Sequence, residues 1–71
     1  MNIILFEATE VSSDQIVSLS GRRHKHVRDV LHSTEGDSLR VGVINGATGT
    51  GLILSMNEVT LELRVELMDA P

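Results

Sequence analysis

The chain has 71 residues, a formal net charge of -4, 41% apolar residues and no cysteine. A chain of this length supports one compact domain, and the lack of thiols excludes a disulfide framework, a zinc ribbon and a cysteine nucleophile. Because the chain has no cysteine, and because the apolar run near its start, Ile3 to Phe6, is too short for a signal peptide or a membrane span, we expect a cytoplasmic protein without a membrane partner.

The first half of the chain predicts two short strands and one helix. The strands are Met1 to Phe6 and Ile16 to Leu19, separated by a polar stretch. The helix is expected over about Gly21 to His32, with Ser20 in the N-cap position. Its narrow apolar stripe consists of Val27, Val30 and Leu31, at the i, i+3 and i+4 spacing of a helix. One edge of the helix should therefore pack on the core, and the remainder should face water.

The second half predicts three more strands. Ser38 to Val43 alternates between polar and apolar residues, and the polar, glycine-rich segment Asn45 to Thr50 suggests a loop after it. Gly51 to Met56 and Val59 to Leu67 then form a predicted hairpin around Asn57-Glu58. The last strand carries five apolar and four polar residues in strict alternation, which is typical of a strand with one face in a core.

The predicted order of elements favours a mainly β fold. Its connections are too short for repeated βαβ crossovers, which need a dozen or more residues each. We therefore expect a small antiparallel β-barrel of about five to six strands with one short helix, because closure also hides the sheet edges. The domain should span residues 1–69, and Ala70-Pro71 should begin a linker.

Charge is segregated along the chain. Residues 22–28 contain four of the six lysines and arginines and no acid, so the remainder carries 2 - 10 = -8. Two interpretations of this segment stay open. It is either a solvated helix face, steadied by a Lys25–Asp29 pair at i,i+4, or a surface that binds phosphates. The absence of acids in an otherwise acidic chain favours phosphate binding.

Other site chemistries have weaker support. His24 and His26 would point to nearly opposite sides of a helix, with His32 further on, which disfavours a metal site. No spacing suggests a catalytic serine and histidine, so we expect no catalytic residue in this segment.

Cofactor and base recognition are similarly restricted. Gly46, Gly49 and Gly51 lack the Gly-Lys-Ser/Thr and the following helix of a phosphate-binding loop, so they indicate a hairpin or barrel corner. Phe6 is the only aromatic residue, which excludes a sheet platform of stacked aromatics.

Five segments together resemble the N-terminal domain of RsmE-type 16S rRNA (uracil-N3)-methyltransferases. They are Ile4-Leu5-Phe6, Leu19-Ser20-Gly21, His26-Val27-Arg28-Asp29-Val30-Leu31-His32, Glu35-Gly36-Asp37-Ser38-Leu39-Arg40-Val41 and Asn45-Gly46. The order of the five segments is more specific than any one of them. The chain departs from the family pattern at His32 and at Ile3, where arginines are usual or frequent.

The resemblance implies a PUA-like domain that binds 16S rRNA during ribosome biogenesis. It implies a separate C-terminal SPOUT domain that binds S-adenosylmethionine, dimerises and methylates the base, so no cofactor is expected in this segment and the parent protein is expected to be a homodimer. The residues predicted to contact RNA are Arg22, Arg23, Lys25, His26, Arg28, His32 and Arg40. Two alternatives remain, a protein-interaction barrel that braces a partner domain and a small-ligand barrel.

Overall fold

The structure, a computed structural model, describes residues 3–68. Its strands are β1 (Ile3–Phe6), β2 (Ile16–Ser20), β3 (Ser38–Val43), β4 (Thr48–Met56) and β5 (Thr60–Leu67). Its helices are a 3₁₀ turn (Ala8–Glu10), α1 (Gly21–His26) and a π-helical turn (Val27–Leu31) that continues α1 directly. No helix within these residues is long and apolar enough to cross a bilayer.

The five strands form one curled sheet, a half-barrel, in the order β1-β3-β4-β5-β2. The predicted mainly β, barrel-like fold with one short helix is confirmed. The sheet is mixed, however, because β1 pairs parallel to β3, with Ile3 opposite Arg40, while the other three pairings are antiparallel. Residues 7–37, which carry β2 and the helix, form the long connection that a parallel pair requires.

Alternation in the strands places the core on the concave face of the sheet. All five strands contribute to it, and α1 with its π-helical turn adds Val27, with Leu31 partly buried against it. The buried apolar residues are Ile4, Phe6, Val17, Leu19, Val27, Leu39, Val41, Ile53, Leu61, Leu63 and Val65. The predicted inward positions of β3 and most of β5 are confirmed, with Val43 and Leu67 only partly buried.

The predicted hairpin of β4 and β5 is confirmed, but its ends differ from the prediction. Val59 lies in the turn and is 68% exposed, because the turn takes three residues and the alternation of β5 starts only at Thr60. At the other end, β4 begins at Thr48, so half of the predicted loop Asn45 to Thr50 belongs to the strand. Gly49 and Gly51 are consequently strand residues, and they permit close approach of neighbouring chains.

The predicted helix has the expected extent, over residues 21–31, but its second half is differently wound. Gly21 starts it with a φ of +60°, a conformation that favours glycine, and Ser20 precedes it without a side-chain capping bond. A π-helical turn follows α1 and ends at His32, which adopts the left-handed conformation. Because a π-helix turns less per residue than an α-helix, the third residue after Val27 rotates away from the core. Val30, predicted to be inward, is therefore 58% exposed.

Candidate nucleic-acid interface

Helix α1 is fixed to the β4–β5 turn by a buried histidine. His24 is only 3% exposed, and its Nε2 lies 2.8 Å from the carbonyl oxygen of Asn57. The side chain of Asn57 shapes the same turn by accepting bonds from the amides of Val59 and Thr60. Nothing in the sequence distinguished this buried histidine from the exposed residues of the same segment.

Arg23, one of the predicted RNA contacts, makes three bonds within the domain. Its two terminal nitrogens donate to the two carboxylate oxygens of Glu10, at 2.6 and 3.1 Å, and one of them also donates to the carbonyl oxygen of Leu5 at 3.2 Å. The bond from Arg23, with one from the backbone amide of Glu7, lowers the pKa of Glu10. Arg23 thus joins α1 to β1 and the 3₁₀ turn, and its charge is already balanced.

Arg28 is also paired within the domain. Its Nε donates to the carboxylate of Asp29 at 2.7 Å, and its Nη1 donates to the carbonyl oxygen of Glu58 at 3.3 Å. The bond from Arg28 lowers the pKa of Asp29, and the nearby charges of Lys25 and His32 act in the same direction. Asp29 therefore pairs with its neighbour Arg28 instead of forming the i,i+4 ion pair with Lys25 that the helical spacing suggested.

The predicted contacts at residues 22–28 fall on two sides of the helix. Arg22 and His26, together with the fixed Arg23, line a groove of about 280 Å³ whose other wall is β1. Lys25 and Arg28 line a second depression, of about 430 Å³, beside the β4–β5 turn. Helix α1 therefore presents cations on both of its flanks.

Arg40 and His32 lie outside these two depressions. Arg40 points from the convex face of the sheet, opposite Ile3 of β1, whose side chain lines the groove. Arg40 therefore lies beside the groove, on the strand next to β1. His32 is exposed at the end of the π-helical turn, near Asp29.

The apolar wall of the groove was not predicted as part of a site. It consists of Ile3, Ile4 and Leu5, and Leu5 remains 49% exposed. A signal was present in the sequence, because all four residues of β1 are apolar. A half-buried strand normally alternates, so a continuously apolar one presents apolar side chains on its outer face as well. Between residues 3 and 68, no cluster of acids and histidines is arranged to hold a metal ion.

The Glu10–Arg23 pair predicts an acid-sensitive contact between α1 and β1. Because the pKa of Glu10 is lowered in the folded state, its contribution to stability is complete above the ordinary glutamate range and is lost as the pH falls through the folded-state value. We expect the melting temperature to fall less between about pH 6 and pH 3 in Glu10→Gln than in the unmodified chain. Thermal melts monitored by circular dichroism check this, with exposed Glu62→Gln as the control. An equal decrease in melting temperature in all three proteins would contradict a stabilising role for the pair.

Comparison with known proteins finds relatives only at the level of structure. No family model matches the chain, and no curated protein matches its sequence. A Legionella pneumophila protein named as a methyltransferase and solved with S-adenosylmethionine superimposes with a TM-score of 0.78 at 20% identity, covering 94% of this chain and 28% of its own. A predicted RNA methyltransferase of Thermotoga maritima superimposes with a TM-score of 0.74 at 18% identity, and the match covers 97% of this chain and 31% of that protein. A hypothetical protein superimposes with a TM-score of 0.80 at 17% identity, and the match covers 94% of this chain and 29% of that protein. The chain therefore has the fold of a segment that makes up less than a third of each of these proteins.

Proposed function

We propose that this chain is the RNA-binding domain of an S-adenosylmethionine-dependent RNA methyltransferase. The observation that carries the proposal is the pair of exposed cations on α1, Arg22 and Lys25. Within residues 3–68, neither has a carboxylate at ion-pair distance, although the chain as a whole is acidic. The names of two structural neighbours support a methyltransferase parent.

The finer proposal follows the resemblance to the RsmE family. The substrate is then a uracil of 16S rRNA, methylated at N3 in the cytoplasm by a homodimeric parent protein. S-adenosylmethionine, bound by a separate SPOUT domain, supplies the methyl group. The residues of this chain position the RNA, since contacts to phosphates fix the register of a protein on nucleic acid without reading its sequence. A knotted methyltransferase domain encoded beyond Pro71 would be the expected parent architecture.

The first test is the salt dependence of RNA binding. Of the cations predicted on the helix, Arg23 and Arg28 are paired within the domain. If about two contacts remain, from Arg22 and Lys25, log K against log salt should have a slope near -1.4, and affinity for single-stranded RNA should fall about sevenfold between about 50 and 200 mM salt. A filter-binding titration with a 16S rRNA fragment measures this. Undetectable binding at the lower salt concentration would contradict the proposal.

Charge reversal tests which residues bind. The double variant Arg22→Glu/Lys25→Glu should lose both contacts, so its binding becomes undetectable or its salt slope approaches zero. The fold should persist, because both side chains are exposed. Arg22→Glu alone is compared with Arg64→Glu, which makes the same charge change at an exposed site on β5. If Arg64→Glu weakens binding as much as Arg22→Glu does, net charge and not the α1 surface determines affinity.

A protein-interaction barrel predicts a different result. In that function the cations of α1 meet an acidic protein surface, so the chain should not bind RNA even at low salt. The same double variant would then lose association with a protein partner. The filter-binding titration separates the two functions without knowledge of that partner.

A further inference from the structure

We propose that the groove between β1 and α1 receives the base of one unpaired nucleotide, and that the guanidinium of Arg23 is the plane on which this base stacks. The inference rests on the proposed RNA binding and specifies its ligand as single-stranded RNA. It also gives Arg23 a function other than the phosphate contact suggested by the sequence.

The guanidinium of Arg23 is held in one orientation by hydrogen bonds within the domain. A guanidinium is planar, and arginine planes stack on unstacked RNA bases as aromatic rings do. Glu10 holds both terminal nitrogens of Arg23, and the carbonyl oxygen of Leu5 accepts a further bond, so the plane is set before RNA arrives. The side chain is still 37% exposed and lines the groove. Because Glu10 already balances its charge, Arg23 suits a neutral base better than a phosphate.

The groove combines aliphatic side chains with basic ones. The only aromatic residue of the chain, Phe6, is buried in the core and unavailable for stacking. The face of the base that does not stack on Arg23 must therefore contact aliphatic side chains, and Ile3 and Leu5 supply an apolar wall opposite Arg22 and His26. This arrangement matches a nucleotide, whose base is flat and weakly polar and whose phosphates are anionic.

The size of the groove limits the ligand. Its volume of about 280 Å³ is slightly below the range for small-molecule pockets, which begins at about 300 Å³. One base fits this space better than a larger ligand. A phosphate next to this base would then lie at the rim, where Arg22 is exposed.

An added peptide strand is the alternative occupant, since β1 is an edge of the sheet. Two features disfavour it. The strand is only four residues long, and the carbonyl oxygen of Leu5 already accepts a bond from Arg23. A peptide would have to displace that bond to pair with the edge. The cations at the rim favour an anionic ligand over a neutral strand.

The test compares oligoadenylate with an abasic ribose-phosphate oligomer of the same length, using the 71-residue chain. The unmodified chain should bind oligoadenylate at least about fivefold more tightly, the lower limit for one stacked base. Leu5→Thr should reduce this preference while leaving binding to the abasic oligomer unchanged. The control is Leu52→Thr, an exposed leucine on the outer face of β4, which should keep the preference. Circular dichroism melts confirm that both variants fold.

Nuclear magnetic resonance supplies a second readout. Ring currents from a stacked adenine should shift the methyl signals of Ile3 and Leu5, and the abasic oligomer should leave them unshifted. Equal affinity for the two oligomers, without methyl shifts, would overturn the base-binding groove but leave phosphate binding by α1 intact. Failure to bind either oligomer at low salt would overturn the proposed function and this inference together. Shifts along β1 caused by an extended apolar peptide, and not by RNA, would assign the groove to strand addition.

Discussion

Leu61→Asp is expected to unfold the domain, whereas Glu62→Lys at the next position is expected to be tolerated. Leu61 lies in the middle of the sheet, between Leu19 of β2 and Met56 of β4, and is 1% exposed. An unpaired carboxylate there costs several kcal/mol. A chain of this length has only about 4–10 kcal/mol of total stability. Glu62 is exposed on the opposite face, next to Ser18 and Ser55, so a lysine remains in water.

Thermal melts and urea titrations of the two variants measure the difference. Leu63→Asp provides a second buried position on the same strand and should behave as Leu61→Asp does. A similar drop in melting temperature for Glu62→Lys and Leu61→Asp would show that the faces of β5 are not divided as described.

Gly49→Ala is expected to be the most destabilising single-methyl addition in the sheet. A Cβ at Gly49 would collide with the carbonyl oxygen of Glu66 and lie 2.8 Å from the Cα of Leu67. Both obstacles are backbone atoms of β5, so rotation of a side chain cannot relieve the contact. Overpacking of this kind costs about 1–3 kcal/mol or more, and about 2 kcal/mol would lower the melting temperature of a domain this small by about 8–16 °C.

Thr50→Ala is the matched control for that experiment. Its side chain is exposed on the adjacent position of β4, opposite Arg40 and Glu66, and its removal creates no collision. We expect a change within about 1 kcal/mol from the lost β propensity alone. If Gly49→Ala has the same melting temperature as the unmodified chain, β4 and β5 do not approach so closely in solution.

The strand pattern of the fold was predictable because one face of each strand is buried. Strict alternation identified Leu61, Leu63 and Val65 as core residues, and the same period placed Leu39 and Val41 inward. Alternation specifies a face but not a partner strand. The parallel pairing of β1 with β3 was therefore missed, and so was the start of β4, where glycines suggested a loop although they serve close packing.

The site was only partly predictable, since charge in the sequence does not reveal which cations are already paired. Arg22 and Lys25 are exposed as expected, but Arg23 and Arg28 bond to Glu10 and Asp29. Glu10 is thirteen positions from Arg23, so no local spacing indicates their contact. The helical spacing that placed Val30 inward also fails in the π-helical turn, because it assumes one constant rotation per residue.

The order of strands in the sheet also determines when the chain can fold. Consecutive strands pair only in the β3–β4–β5 part of the sheet. Strand β2 pairs with β5, with Ile16 opposite Arg64, so its partner is distant in sequence. Pairings between distant residues form slowly, because a long loop must close before they contribute stability. During synthesis β2 therefore leaves the ribosome well before β5, the strand with which it pairs. We expect the β3–β4–β5 meander to nucleate folding, and β2 to stay accessible to chaperones until Leu67 has emerged.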